Sequence, residues 1–106
     1  MSAVAYTVTA ILPEETIAER YIAWLEDGHV DAVIAGGAHS ATIVRLDREP
    51  SDPPGVERVE VRYIFPTRAV FEKYVEVYAP ALRSEGIKLF GPDSGVRFER
   101  RTGTIV

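Results

Sequence analysis

Residues 57–65, ERVEVRYIF, show the clearest structural pattern in this chain. Apolar side chains occupy every second position: Val59, Val61, Tyr63 and Phe65. Charged side chains stand between them: Arg58, Glu60 and Arg62. Because successive residues of an extended chain point to opposite faces, this alternation predicts a β-strand with one buried face and one charged face.

Three other stretches predict strands. Residues 4–12, VAYTVTAIL, place Tyr6, Val8 and Ala10 on one face. Residues 38–47, AHSATIVRLD, form a second strand. Residues 96–102, VRFERRT, form the last one.

Two segments show the spacing of helices. In residues 14–27 an apolar stripe recurs every three to four positions: Ile17, Tyr21, Trp24 and Leu25. Thr16 and Glu19 have the spacing of a capping box. Gly28 suits the end of this helix, and a further short helix is expected to end at Gly36-Gly37.

The second helix is predicted over 67–79, with Thr67 as its N-cap. Pro80 lacks the amide hydrogen that the helical ladder needs, so it is expected to interrupt this helix. Residues 80–90 are expected to continue as a short helical or turned segment.

The resulting order is β-α-β-β-α-β, within one domain over residues 1–106. This order predicts an α+β, ferredoxin-like fold, with a four-stranded antiparallel sheet and both helices on one face. The proline-rich stretch 48–56 is a loop of unassigned role, and a partner-binding module using this loop is one open hypothesis.

The opposite face of the sheet has no layer to cover it. Neither side of the strand over 4–12 is strongly polar, so we expect that face to be too apolar to remain in water. A second copy of the chain would cover it, which predicts a homodimer through the open sheet face.

Composition excludes several functions. The chain has no cysteine, which rules out disulfides, thiol catalysis and cysteine–zinc sites. A net charge of −4 argues against binding to nucleic acid or to anionic membranes. No apolar stretch approaches the ~18 residues of a membrane span, and the first residues read as a strand rather than a signal peptide, so the expected location is the cytoplasm.

The chain resembles a family of short bacterial proteins known as a domain of unknown function, within the wider group of dimeric α+β barrels. The resemblance rests on four stretches: YTVTAILP (6–13), YIAWLEDGHVDAVIAGG (21–37), VEVRYIFPT (59–67) and FEKYVEVYAPALRSEGIKLFG (71–91). It implies the ferredoxin-like fold and a dimer whose two sheets face each other across a barrel-like interior. It implies no activity.

His29 is the main candidate for chemistry. In the wider barrel group, a histidine near the end of the first helix often faces a ligand cavity, and histidine acts as a base or acid near neutral pH. The alternative is structural: His29 would bond the last carbonyls of the helix over 14–27. A metal site formed by His29, Asp31 and His39 is not favoured, because their spacing is not diagnostic, and we expect no metal and no cofactor.

The remaining candidates are binding residues. An aromatic set (Tyr6, Trp24, Tyr63, Tyr74 and Tyr78) either lines a pocket or belongs to the core. Arg62 is either solvent-exposed or directed between two subunits toward an anion. Arg83 either anchors its segment or contacts a ligand, so the expected ligand-binding residues are Tyr6, Trp24, His29, Arg62, Tyr63 and Arg83.

Two functions remain open at this point. The first is a homodimeric barrel protein without catalysis that binds a small apolar or anionic molecule. The second is a cofactor-independent oxygenase or isomerase with His29 as its base, which rests on fold analogy alone.

Overall fold

The four predicted strands form a single sheet. A computed structural model of the protein describes residues 2–106. The strands are β1 (Val4–Leu12), β2 (Ser40–Arg45), β3 (Glu57–Phe65) and β4 (Arg97–Thr104). Their order in the sheet is β2-β3-β1-β4, and all neighbours are antiparallel. The predicted ferredoxin-like α+β fold is confirmed.

Helices cover one face of this sheet in two arms. The first arm consists of α1 (Glu15–Trp24), a wide turn (Leu25–His29) and α2 (Val30–Ala35). The second consists of α3 (Arg68–Lys73), a wide turn (Tyr74–Tyr78) and α4 (Ala79–Phe90), and a single 3₁₀ turn (Pro92–Ser94) precedes β4. No helix within residues 2–106 combines the length and the apolar character needed to cross a bilayer.

The core lies between these arms and the sheet. The four apolar residues of β3 that alternate along the strand are all buried: Val59, Val61, Tyr63 and Phe65. Tyr6 of β1 packs beside them, with its ring centroid 6.0 Å from that of Tyr63 and 5.2 Å from that of Phe71 in α3. The strand alternation therefore selects the face that the helices cover.

The opposite face of the sheet is more polar than expected. Strand register arranges its charges in rows across the strands. Thr7 lies between Arg62 and Arg101, Thr9 lies between Glu60 and Glu99, and Ile11 lies between Arg58 and Arg97. The expectation of a largely apolar face is therefore wrong, because the threonines of β1 are flanked by charged residues of both neighbouring strands.

The first arm bends at Asp27 and Gly28. Asp27 leaves the helical region, and Gly28 adopts a φ of +114°, which is favourable for glycine. The chain then resumes as α2 and ends at Gly36-Gly37, as predicted. This bend brings His29 back beside Trp24.

The second arm begins as expected but is longer. The hydroxyl oxygen of Thr67 accepts a hydrogen bond from the backbone N–H of Val70 at 3.2 Å. Pro80 lies in the first turn of α4, where a missing amide hydrogen costs little, so the chain continues as a twelve-residue helix. The expected interruption at Pro80 is therefore wrong, because the wide turn before α4 keeps a helical backbone.

The predicted capping box at Thr16 is wrong. Helix α1 begins at Glu15, so Thr16 already lies inside it, and Glu14 occupies the N-cap without a side-chain hydrogen bond. The hydrophobic stripe located the helix correctly, but the last extended residue before it is Glu14 rather than Thr16.

These two threonines make a matched test. Replacing Thr67 with alanine is expected to lower the free energy of unfolding by about 1 kcal/mol, because the N–H of Val70 loses its acceptor. Replacing Thr16 with alanine is expected to be neutral or slightly stabilising, because alanine has the higher helix propensity. Urea denaturation monitored by circular dichroism measures both. Equal losses would contradict the assignment of the caps.

The loop between β2 and β3 is held by polar contacts. Asp52 accepts hydrogen bonds from the backbone N–H of Glu49 at 2.8 Å and from the guanidinium of Arg58. Arg48 donates to the carbonyl of Pro53 at 3.1 Å. These contacts tie the proline-rich residues to the edge of β3.

Candidate functional site

A cavity of about 750 Å³ lies between the helices and the sheet. Helix α4 and the end of α1 form its walls, and β1, β3 and β4 supply side chains from the sheet. Most of the residues lining it are aromatic or aliphatic. The aromatic residues among them are Tyr6, Tyr21, Trp24, Tyr63, Tyr74, Phe90 and Phe98. Its volume is in the range of sites that hold drug-sized molecules.

His29 forms part of this cavity and stacks on Trp24. The two ring centroids are 4.0 Å apart, with an angle of 23° between the planes. Nδ1 of His29 is buried and has no hydrogen-bond partner in the part of the chain that the structure describes. Burial lowers the pKa of His29 to about 4, because the surroundings disfavour the charged imidazolium. The imidazole is therefore neutral at physiological pH.

The helix-capping interpretation of His29 does not describe its geometry. A capping imidazole would donate to a carbonyl near the end of α1, but the buried Nδ1 of His29 forms no hydrogen bond within residues 2–106. The bend at Gly28 instead turns the ring against the indole of Trp24.

The other two residues considered for a metal site lie elsewhere. His39 is exposed just before β2, and Asp31 is exposed on α2. Within residues 2–106, no three histidine, cysteine, aspartate or glutamate side chains come together in a way that would hold a metal ion.

Three of the tyrosines that line the cavity have hydroxyl groups with raised pKa values. Burial raises the pKa of Tyr74 to about 12, and the positive charges of Arg83 and Arg100 partly oppose this shift. Burial also raises the pKa values of Tyr21 and Tyr63. All three hydroxyls therefore remain protonated and can donate a hydrogen bond to a bound molecule.

The structure brings together five of the six expected binding residues. Tyr6, Trp24, His29, Tyr63 and Arg83 all line the cavity. Arg62 does not line it. Its neighbours Val61 and Tyr63 point toward the helices, and successive residues of a strand point to opposite faces, so Arg62 lies on the open face. Its Nε donates instead to Oε2 of Glu60 at 2.5 Å on the open face. In the aromatic set, Tyr74 lines the cavity and Tyr78 is partly exposed outside it.

Arg100 was not among the expected binding residues, although the sequence contained a signal for it. It follows Val96 and Phe98 at intervals of two, which places all three on the helix-covered face of β4. The register confirms this position, since Arg100 pairs with Val8, another residue of the cavity. Its guanidinium lies 5.6 Å from the centroid of the Phe98 ring.

The family of the chain follows from residues 3–103, which match the model of a domain of unknown function, DUF4286. This chain belongs to that family. The match covers both helical arms and all four strands, apart from the last residue of β4. The whole cavity therefore lies within the DUF4286 domain. No curated protein matches the chain.

Solved structures with the same fold are distant in sequence from this DUF4286 chain. A dimeric ferredoxin-like protein from an uncultured marine organism is 17% identical, with a TM-score of 0.79 over 100% of this chain and 97% of that one. A second dimeric ferredoxin-like protein, also from an uncultured marine organism, is 12% identical, with a TM-score of 0.71 over 98% and 94% of the two chains.

A third structure of similar fold comes from Bacillus cereus. It is a candidate antibiotic biosynthesis monooxygenase, 15% identical to this chain, with a TM-score of 0.63 over 99% of this chain and 94% of that one. At these identities the three structures establish the fold that they share with this chain.

Proposed function

We propose that this protein is a homodimer that binds a small, largely apolar molecule in the cavity between its helices and sheet. The observation that carries this proposal is the stacked pair of Trp24 and His29, in which a buried ring nitrogen has no partner beside an open volume of about 750 Å³. A buried polar atom without a hydrogen bond is costly. A bound molecule that donates a hydrogen bond would remove that cost.

Binding explains His29 better than catalysis does. With a pKa of about 4, its imidazole accepts a hydrogen bond at neutral pH but is a weak base. Among the described residues, 2–106, no side chain forms a hydrogen bond with Nδ1 that would orient the ring as a catalytic dyad requires. A neutral, stacked imidazole suits a binding wall.

Filling the cavity tests this proposal. Val8 lies on the sheet side of the cavity and is half-buried. Its replacement with tryptophan is expected to weaken binding of the neutral fluorescent probe phenylnaphthylamine by at least about tenfold, because the indole occupies the volume that the probe needs. Fluorescence titration measures the dissociation constant.

The matched control is Val77→Trp, because Val77 is 57% exposed and outside the cavity. This variant is expected to bind the probe like the unaltered protein. Equal affinities in all three proteins, or no binding in any of them, would contradict a ligand site in this cavity.

The dimer is proposed to form through the open sheet face. Its support is the pattern of charge on that face, where rows of arginine and glutamate alternate along the strands. A twofold axis running across the strands, between the Thr7 row and the Thr9 row, would place the arginines of each copy on the glutamates of the other. Apolar residues between and beside the rows would pack in the same interface, among them Ala5, Ile11, Val44 and Ile64.

Exchanging charges within β4 tests this arrangement. Glu99→Arg is expected to weaken the dimer by at least about tenfold, since it would set arginine against arginine across the interface. The double variant Glu99→Arg/Arg101→Glu is expected to restore the dimer, because the rows become complementary again. Sedimentation equilibrium measures the mass against the 11.7 kDa of one chain.

Glu72→Arg is the control, because Glu72 is exposed on α3, on the side of the sheet that the helices cover. It is expected to leave the association unchanged. A monomer at micromolar concentration in the unaltered protein would contradict the dimer itself. A dimer that Glu99→Arg does not weaken would contradict only the proposed pairing of rows.

The second candidate function is a cofactor-independent oxygenase or isomerase that uses His29 as its base. The observation that favours it is the neutral imidazole in an apolar cavity, in a fold that a candidate monooxygenase shares. Such an enzyme would begin by removing a proton from carbon next to a carbonyl or phenol group of its substrate.

Deuterium exchange distinguishes this candidate from simple binding. An enzyme with His29 as base is expected to exchange the methyl protons of a bound aryl methyl ketone with solvent deuterium. His29→Gln would abolish that exchange while retaining the binding of phenylnaphthylamine. Exchange at the uncatalysed rate in the unaltered protein would remove the support for this candidate.

A further inference from the structure

The charged residues of the cavity are all of one sign. Arg83, Arg97 and Arg100 line it, and no aspartate or glutamate of residues 2–106 does, but strand alternation turns the side chain of Arg97 toward the open face. The chain as a whole has 16 acidic and 12 basic residues, so this local excess of positive charge is opposite to the net charge of the protein. Such a cavity attracts anions and repels cations.

Two of these arginines line the cavity from different elements. Arg83 projects from α4 and Arg100 from β4. Their charges both act on the hydroxyl of Tyr74, where they oppose the effect of burial on its pKa. Arg100 acts in the same way on Tyr21. Independently of these charge effects, both arginines line the same cavity as Tyr21 and Tyr74.

Neither arginine has an ion-pair partner among residues 2–106, and both are exposed to solvent. Within residues 2–106, ion pairs form at Arg45, Arg58 and Arg62, and none of them includes Arg83 or Arg100. The guanidinium of Arg100 rests against the ring of Phe98. Strand β4 is an edge of the sheet, and charged side chains protect such an edge, but Arg100 also faces the helices and lines the cavity.

We propose that the molecule bound in this cavity is an amphipathic anion, with an aromatic or aliphatic body against Trp24 and Tyr63 and one carboxylate or sulfonate group held by Arg83 and Arg100. This inference rests on the proposed small-molecule site and specifies its ligand class. Guanidinium groups bind such oxyanions through charge-assisted hydrogen bonds, and the tyrosine hydroxyls can donate further ones. The apolar body would be buried by the surrounding rings.

A pair of fluorescent probes with the same aromatic body tests the charge requirement. Anilinonaphthalene sulfonate carries an anionic group and phenylnaphthylamine does not. The sulfonate is expected to bind at least about tenfold more tightly. Arg83→Gln and Arg100→Gln are each expected to lower its affinity about tenfold while leaving the affinity for phenylnaphthylamine unchanged.

Arg20→Gln is the matched control, because Arg20 is exposed on α1 and does not line the cavity. It removes the same charge and is expected to change neither affinity. Thermal melting by circular dichroism checks that every variant is folded.

Different outcomes separate this inference from the proposed site. If Val8→Trp weakens phenylnaphthylamine binding but the sulfonate binds no better than the neutral probe, the site stands and the anionic class is wrong. The same conclusion follows if the two arginine variants bind the sulfonate as the unaltered protein does. If neither probe binds the unaltered protein, the small-molecule site itself fails and this inference with it.

Discussion

Replacing Gly37 with alanine is expected to lower the free energy of unfolding by about 4 kcal/mol, through backbone strain together with a steric clash. Gly37 has a φ of +131°, a conformation that residues with a side chain rarely adopt. A Cβ at this position would lie 2.6 Å from Cγ1 of Val70. Denaturation in urea, followed by circular dichroism, measures the loss.

Gly28 separates the two contributions. Its φ is +114°, but a Cβ there would meet nothing within 4 Å. Gly28→Ala is therefore expected to cost only about 1–2 kcal/mol, which is the strain alone. A loss for Gly37→Ala that is no larger than the loss for Gly28→Ala would contradict the close contact with Val70.

A double-mutant cycle locates the clash. Val70→Ala removes the methyl groups that the new Cβ would meet, so it is expected to recover part of the loss in the Gly37→Ala background. In the unaltered protein the same change only removes packing and is expected to be destabilising. Purely additive effects of the two changes would place the cost of Gly37→Ala in the backbone instead.

This glycine pair also supports the functional site. A Cβ at Gly36 would lie 2.9 Å from Cδ1 of Tyr74, a residue of the cavity. The two glycines let the end of α2 approach the second arm closely. The position of Tyr74 in the cavity therefore depends on residues that do not line it.

Lowering the pH from 6.5 to 4 is expected to remove about 2 kcal/mol of stability through His29, after allowance for the partial exposure of its ring. The imidazole has a pKa of about 4 in the folded chain and of 6.5 as its ordinary value. Between these values the unfolded chain binds a proton that the folded chain does not, so stability rises with pH. The contribution of His29 is complete above pH 6.5 and is lost as the pH falls toward 4.

His29→Phe isolates this contribution, because a phenyl ring can keep the stack on Trp24 without a titrating group. Carboxylates also titrate in this range, so the measured quantity is the difference between the stability profiles of the two proteins. As the pH falls from 6.5 to 4, the free energy of unfolding of the unaltered protein is expected to decrease relative to that of His29→Phe. At pH 7 the variant is expected to be at least as stable, because it lacks the unpartnered Nδ1.

His39→Gln is the matched control, because His39 is exposed outside the cavity. This variant is expected to keep the pH dependence of the unaltered protein. Parallel profiles for His29→Phe and the unaltered protein would contradict the burial of an uncharged imidazole at position 29.

Strand patterns predicted most of the fold because alternation is a local property. The apolar residues of β3 identify both the strand and its buried face, and the bounds predicted for β1 and β3 match those of the structure. The break at Gly28 was also placed correctly. The expected interruption at Pro80 was not, because the backbone stays helical there and Pro80 lies in the first turn of α4. The N-cap at Thr16 was wrong because the last extended residue before the helix is Glu14.

The sequence by itself determined the order of elements and the buried face of the strands, because both follow from residue spacing along single elements. Only the tertiary structure decided that His29 stacks on Trp24, that Arg83 and Arg100 face the same volume, and that the charges of the open face form alternating rows. Each of these joins residues from separate elements, and such meetings depend on strand register and helix packing. Residue spacing along the chain does not specify strand register or helix packing directly.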